Sequence, residues 1–279
     1  MALVTSRELL LAAQKNGYAV AAFNVENMEM AQAVVAAACQ AHAPVIVQTT
    51  SGTLKYAPPA VFAGLVRQLA EAAQVPVALH LDHGNGLELA KACIAAGYTS
   101  LMIDGSNLPF DGNVTLTQSV VQAAQGLPVE AELGTVGGKE DGHEAKPQYT
   151  DPQEAAQFVA LTGISSFAVA IGTAHGVYKG IPILDIGRLE QIRQTVSVPL
   201  VLHGTSGVPH DQVRACIARG ICKVNYATEL RITFSDAVKE ALRKKPEAFD
   251  PKYYLGAGRE AVKAKVLELI ALCGSDGKA

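Results

Sequence analysis

Val77-Ala78-Leu79-His80-Leu81-Asp82-His83-Gly84 starts as an apolar run and ends in an acid, an imidazole and a glycine. Two other short apolar runs lead to the same His-Gly pair. Phe167-Ala168-Val169-Ala170-Ile171 leads to His175-Gly176, and Val198-Pro199-Leu200-Val201-Leu202 leads directly to His203-Gly204. Histidines have little reason to gather at strand ends unless something there needs imidazole. One such end carries little weight, but three with the same local grammar do. Side by side, they supply three neutral nitrogen ligands and leave one position open, the arrangement of a catalytic zinc. A glycine after each histidine lets the backbone turn sharply and a substrate approach closely.

Outward from these runs, strand-like and helix-like segments alternate along the whole chain. Strands are expected to begin near Ala19, Val45, Val77, Ser100, Val129, Phe167, Leu200 and Ile221. Alanine-rich segments with helical spacing lie between them, such as Met28–Ala41, Pro59–Ala73, Leu87–Ala96 and Leu116–Ala124. Thr5 with Glu8 reads as a capping box, with Gly17 as the stop, and Asp151-Pro152-Gln153-Glu154 as a marked helix start. Eight β units, each followed by α, in 279 residues predict a (β/α)8 TIM barrel. No Pro/Gly/Ser linker divides the chain, so residues 1–279 read as one domain. The strands end in Asn24, Thr50-Ser51, Asp82-His83, Asp104, Glu132, His175, His203 and Asn225. In this fold those C-terminal ends form one rim, where the βα loops build the active site.

Composition narrows the function classes. With 49% hydrophobic residues, 5% aromatics and no Trp, the core must be built from Ala, Val, Leu and Ile. A net charge of −3 without a basic cluster argues against nucleic acid. No apolar stretch approaches the ~18 residues of a membrane span, and the N-terminus does not read as a signal peptide. Five cysteines without CxxC spacing suit a reducing cytoplasm.

At the rim, a three-histidine metal with an open position would polarise a carbonyl or activate water. Asp82, beside His83, is placed to give or take a proton. Asp104 and Glu132 could orient ligands, provide a second metal position or be structural. His80 shares the strand face of Asp82 and could donate from behind, or be a satisfied barrel histidine. The longest connection without clear secondary structure runs from Gly134 to Thr150 around Lys139-Glu140-Asp141 and suggests a mobile lid. A second loop, Gly172 to Pro182, carries His175, Gly176 and Lys179. His203-Gly204-Thr205-Ser206-Gly207 and Asn225-Tyr226-Ala227-Thr228 follow strands seven and eight, where barrels often bind phosphate. Together these features suit chemistry beside the carbonyl of a sugar phosphate, and aldol cleavage and isomerisation both fit. A Schiff base would need a desolvated lysine at a strand end. Lys223, inside strand eight, and Lys179, in a loop, do not compete with the histidines.

At these residues the chain resembles the class II, zinc-dependent ketose-bisphosphate aldolases over nearly its full length. The resemblance runs from Tyr18-Ala19-Val20 and Phe23-Asn24 through Leu79 to Gly84, Met102 to Ser106 and Glu130 to Gly134. It continues through Gly137 to Asp141, Ile171 to Gly176, Leu202 to Gly204 and Lys223 to Asn225, and closes at Gly274 to Ala279. The resemblance implies that His83, His175 and His203 bind Zn2+ and that Asp82 is the proton donor to the aldehyde in the condensation direction. It implies Glu140 as the mobile acid acting on the dihydroxyacetone phosphate carbon, and Asp104 and Glu132 as a displaced or second metal position. Asn24, Thr50, Gly176, Gly204, Thr205, Ser206, Asn225, Tyr226, Ala227 and Thr228 become expected substrate contacts. A monovalent cation, Na+ or K+, near the phosphate and a homodimer or homotetramer follow from the same likeness. Ile171 to Gly176 with Ala227-Thr228-Glu229-Leu230 resembles the tagatose-bisphosphate branch, whereas Gln48 looks more like a fructose-bisphosphate enzyme. Asp250-Pro251-Lys252 departs from the family's usual Asp-Pro-Arg, whose arginine is expected to hold the distal phosphate. Lysine keeps the charge and loses the bidentate fork. Lys252, with Arg259 as a substitute, is therefore the expected distal contact. A related ketose 1-phosphate, an isomerase or epimerase on the same rim, and a silent accessory subunit are the alternatives.

Overall fold

The computed structural model describes residues 3–140 and 143–279, and their side chains except at 139–140 and 143–145. Eight parallel strands close into a barrel: β1 (Val20–Asn24), β2 (Val45–Thr50), β3 (Val77–Gly84), β4 (Ser100–Ile103), β5 (Val129–Leu133), β8 (Ser166–Val169), β10 (Leu200–Leu202) and β11 (Ile221–Tyr226). Short strands β6 (Gly137–Glu140), β7 (His143–Ala145) and β9 (Ala174–His175) form a small separate sheet on the rim. The expected strand starts agree with these to within one residue.

Helices α1 (Ser6–Asn16), α2 (Met28–Ala41), α3 (Ser51–Tyr56), α4 (Pro59–Ala72), α5 (Leu87–Ala96) and α6 (Phe110–Ala123) accompany the first half. The second half carries α7 (Pro152–Thr162), α8 (Ile186–Thr195), α9 (His210–Ile217), α10 (Thr228–Lys244) and α11 (Pro251–Cys273). Asp151 caps α7 as expected, its Oδ1 accepting from the N–H groups of Gln153 and Glu154 at 2.8 and 3.1 Å. Thr5 occupies the N-cap position of α1 without a side-chain cap bond, so the expected capping box does not form. Helix α6 starts at Phe110 rather than near Leu116, because Pro109 and Asp111 mark a start that the weak helix formers Gly112 and Asn113 conceal.

Strand side chains alternate between two environments. Outward, Phe23, Val47, Leu79, Leu81, Leu101, Phe167 and Leu202 pack under the helices in the main apolar layer. The buried Ala31, Ala33, Ala37 and Ala38 of α2 belong to the same layer. Inward, Val20, Ala22, Ile46 and Ala78 meet Leu9, Leu10 and Ala13 of α1, which plugs the barrel's N-terminal mouth. Each fully buried aliphatic side chain contributes about 1.5–3 kcal/mol. Above this plug the lumen divides: Met102, Ala168 and Val201 form an apolar patch, whereas Gln48, His80, Glu130 and Lys223 are polar and buried.

The connection from Gly134 to Thr150, expected to lack secondary structure, contains a hairpin. Strand β6 pairs antiparallel with β7 and parallel with β9, setting Gly137 opposite Ala174 and Gly138 opposite His175. Gly138 has φ +90°, and a Cβ there would strike the backbone of His175. Glycine thus lets the hairpin lie directly against the rim. At its base, the Thr150 hydroxyl donates to the Leu133 carbonyl and accepts from the Ala170 N–H. Asp141 of the expected lid lies outside the described residues.

Among the described residues no helix is long and apolar enough to cross a membrane. All five cysteines are free, and burial pushes the thiols of Cys93, Cys216 and Cys273 up to about 12.

Candidate active site

The irregular end of β3 delivers His83. Its pairing with β4 slips between Leu81 and Gly84, and His83 itself sits at φ 44°, a region that non-glycine residues rarely adopt. Such strain persists where the surroundings over-determine the residue, commonly at functional sites. Gly84 permits the slip, because a Cβ there would meet the Met102 carbonyl oxygen at 2.5 Å. Here the glycine makes room for a neighbouring strand rather than for a substrate.

Each of two histidines is held from behind by a carboxylate. His83 Nδ1 lies 2.7 Å from Asp104 Oδ2, and His203 Nε2 lies 2.8 Å from Glu130 Oε1. An ionised carboxylate only accepts, so each of these ring nitrogens carries the proton. In the neutral imidazole the opposite nitrogens, His83 Nε2 and His203 Nδ1, present lone pairs, and they lie 2.8 Å apart. Two converging lone pairs call for a cation between them. His175 completes the group, with ligand atoms of all three histidines within 4.8 Å of one another. Burial holds His175 and His203 well below the usual imidazole range, so both are neutral at pH 7. The donor set fits a metal such as zinc. A second cluster of His83, Asp104 and Glu132 meets the same 4.8 Å limit.

Asp82, buried on β3, is cradled by two amides. Its Oδ2 accepts from Asn24 Nδ2 at 2.8 Å and its Oδ1 from Asn225 Nδ2 at 3.1 Å. Gln48 Nε2 in turn donates to Asn24 Oδ1 at 2.7 Å. Burial alone would raise the Asp82 carboxyl, but the Lys223 ammonium and the Asn24 hydrogen bond help to bring it below its ordinary value. For Asp104 too, burial opposes ionisation, yet the His83 hydrogen bond, with those of Ser106, keeps it well below the carboxylate range.

Two pockets open from this centre. The first is lined by Asn24, Asp82, His83, His175, Gly176, Gly204, Thr205, Ser206, Asn225, Ala227, Thr228 and Arg231. The second shares His83 and His175 and extends past Ser51, Gly52, Lys55, Asn85, Asp104, Ser106, Asn107 and Glu132. A sequence profile described as Fructose-bisphosphate aldolase class-II matches residues 4–278. The chain belongs to the class II fructose-bisphosphate aldolase family. Among solved structures it is similar to the YdjI aldolase of Escherichia coli, at 40% identity, 99% coverage of both chains and a TM-score of 0.89. It is also similar to a putative fructose-1,6-bisphosphate aldolase of Coccidioides immitis, at 30% identity, 97% and 96% coverage and a TM-score of 0.88. The fructose-bisphosphate aldolase of Campylobacter jejuni follows at 26% identity, 100% and 97% coverage and a TM-score of 0.84. The protein is thus an aldolase, a carbon–carbon lyase on a (β/α)8 barrel.

In this aldolase most of the expected site residues with described side chains converge, and four do not. Thr50 is fully buried and caps α3, its Oγ1 accepting from the Thr53 N–H at 3.3 Å, while the adjacent Ser51 lines the second pocket. The Tyr226 ring faces outward into the core, 5.8 Å from the Phe23 ring and with its hydroxyl 3.6 Å from Cys273 Sγ. Strand alternation decides this, since Asn225 already points inward. Lys252 and Arg259 lie on α11 and line neither pocket; Lys252 pairs with Asp250 at 3.0 Å, and Arg259 with Glu260 at 3.1 Å. The departing Asp250-Pro251-Lys252 motif serves here as a helix start, with Asp250 accepting from the Lys252 N–H at 3.0 Å. Glu140 lies on β6, two residues beyond the glycine paired with His175, and its side chain is outside what the structure describes. Sequence reasoning missed Arg231, which lines the first pocket and pairs with Glu26 at 2.6 Å. It also missed the roles of Glu130 and Lys223. Their spacing of two from Glu132 and Asn225 was the available signal, because it puts each pair on one strand face. Lys223 is fully buried, with Nζ 3.0 Å from Glu130 Oε2, which leaves it unsuited to Schiff-base chemistry.

Proposed function

We propose that this aldolase is zinc-dependent and cleaves a ketose 1,6-bisphosphate of the tagatose or fructose series. The products are dihydroxyacetone phosphate and an aldehyde such as glyceraldehyde 3-phosphate. The observation that carries the reading is the pair of imidazoles facing each other at 2.8 Å, each backed by a carboxylate, next to the doubly cradled Asp82.

His83, His175 and His203 would hold the metal. A zinc ion, when bound, withdraws electron density from the substrate carbonyl and stabilises the charge that cleavage develops there. In the cleavage direction Asp82 takes the hydroxyl proton from the carbon that becomes the aldehyde. The adjacent carbon–carbon bond breaks, and its electron pair passes to the dihydroxyacetone phosphate half. That carbon takes a proton from Glu140, carried on the hairpin docked at His175. In condensation, Asp82 returns its proton to the aldehyde oxygen.

Gly176, Gly204, Thr205, Ser206 and Thr228 around the first pocket suit the phosphate of the dihydroxyacetone half. The second pocket suits the aldehyde half. Among its described lining residues Lys55 is the one lysine or arginine, and it takes the role of distal-phosphate contact in place of Lys252 and Arg259. The buried thiols suit a cytoplasmic enzyme.

The test is release of dihydroxyacetone phosphate from a panel of ketose 1,6-bisphosphates and ketose 1-phosphates, with and without a strong chelator. Chelator-sensitive release, faster from a bisphosphate, supports the reading. Isomerised or epimerised products without release would contradict it. Equal cleavage of a 1-phosphate would remove the distal phosphate from the substrate class.

A further inference from the structure

Beneath the rim, a line of buried polar side chains crosses the lumen from the N-terminal plug to the reacting groups. Ser6 Oγ meets Ser100 Oγ at 2.7 Å, and Ser100 Oγ meets His80 Nδ1 at 2.7 Å. His80 Nε2 lies 3.8 Å from Glu130 Oε2, whose other oxygen holds His203. Lys223 Nζ closes the line, 3.0 Å from Glu130 Oε2 and 2.8 Å from Asn225 Oδ1.

Nothing in barrel packing requires an ion pair here. Replacing a buried pair by apolar residues of similar volume is often neutral or stabilising, so burial alone does not explain Lys223 and Glu130. Donor chemistry does. Glu130 can only accept from His203 Nε2, so the proton stays on that nitrogen and the Nδ1 lone pair turns toward His83. Lys223 has donors and no acceptor, so the Asn225 amide must show it the oxygen. The Asn225 NH2 group is thereby turned toward Asp82, where it donates at 3.1 Å. One ammonium thus fixes the state of both halves of the site: it neutralises the carboxylate behind His203, and it sets the polarity of an amide that holds Asp82.

We infer that Lys223 and Glu130 are positioning residues, with Glu130 presenting His203 for metal and Lys223 tying that presentation to the orientation of Asp82 through Asn225. The inference rests on the zinc reading above, and its test separates the two.

The experiment compares the parent with two paired variants, Glu130→Gln/Lys223→Met and Glu130→Leu/Lys223→Met, neither of which leaves a lone buried charge. Zn2+ affinity is measured by competition with a chromophoric chelator, the visible spectrum is recorded on Co2+-loaded protein, and kcat is measured at saturating zinc. Both variants are expected to melt cooperatively. The Leu/Met variant, without an acceptor for His203, should bind Zn2+ about 10–100-fold more weakly. The Gln/Met variant, which keeps an uncharged acceptor, should fall between it and the parent. Both should show a shifted Co2+ spectrum and a kcat deficit that excess zinc does not repair. Zn2+ affinity within twofold of the parent in the Leu/Met variant, with an unchanged Co2+ spectrum, would overturn the inference and leave the zinc reading standing. Failure of both variants to fold would make the pair structural and overturn it as well. A parent that binds no Zn2+ would overturn the zinc reading, and this inference with it.

Discussion

His83 and His203 each rest on a carboxylate, and Asp82 rests on two amides that are themselves hydrogen-bonded. The other end of the site is built differently. Lys55 is exposed on the six-residue helix α3 and forms no ion pair with a described residue. The difference follows from the elements used. Barrel strands place polar side chains at i and i+2 on the inner face, as with His80 and Asp82, Glu130 and Glu132, or Lys223 and Asn225. Each is then braced by neighbouring strands before any substrate arrives. Electrostatic catalysis gains most from such preorganisation. Rim helices and loops brace less, so the second pocket can accept a change of residue without disturbing the histidine cluster.

The comparison is broken most severely by removing a ligand. His175→Ala should lose both stoichiometric metal and detectable turnover, measured by metal analysis and by release of dihydroxyacetone phosphate, because three protein ligands are the usual set for a catalytic zinc. Retained metal with full turnover would remove His175 from the centre. Next in size is Asp82→Ala, expected to keep metal while losing a factor of about 10²–10⁴ in kcat, the range of a positioned acid or base. An unchanged rate would reduce Asp82 to a buried anchor for Asn24 and Asn225. At the distal end, Lys55→Ala should raise KM for a bisphosphate roughly 10–100-fold, from the ~1.5–3 kcal/mol of one charge-assisted contact, and leave kcat nearly unchanged. Parallel losses in kcat would show that the two ends are not independent.

The smallest effect concerns the metal-free protein in mild acid. Burial holds His80, His175 and His203 well below the usual imidazole range, and the Lys223 ammonium adds to this for His80 and His203. The unfolded chain protonates these groups near their ordinary pKa of about 6.5. As pH falls through that value, the unfolded state takes up more protons than the folded one, so stability falls with acid. Thermal midpoints at pH 7.5 and 5.5 should therefore show the lower value at 5.5. Equal midpoints would mean that the folded state accepts those protons.

The barrel and the convergence of side chains at its rim were legible because strand periodicity and rim chemistry coincide. A residue at the end of an inward-facing run has one place to go, which located Asp82, His203 and Asn225, whereas His83 joins them through the irregular end of β3. The hairpin at Gly137–Ala145 was not legible, since it depends on pairing with the two-residue strand at Ala174–His175, too short to leave a periodic pattern. Thr50 and Tyr226 failed for a related reason: rim position alone does not say whether a side chain caps, packs outward or faces the pocket. Lys252 and Arg259 were chosen by charge and motif, and helix α11 carries both away from the two pockets of its own chain. Glu130 and Lys223 had the period-two spacing, but the purpose of an interior ion pair emerges only when its partners are seen.

The central claim is that metal held at His83, His175 and His203 drives the cleavage. It is tested most directly by titrating zinc into metal-free protein and following dihydroxyacetone phosphate release at each addition. The account predicts almost no rate without metal, a linear rise, and a break at about one zinc per chain. Full activity in the metal-free protein, or a rate indifferent to added zinc, would contradict it.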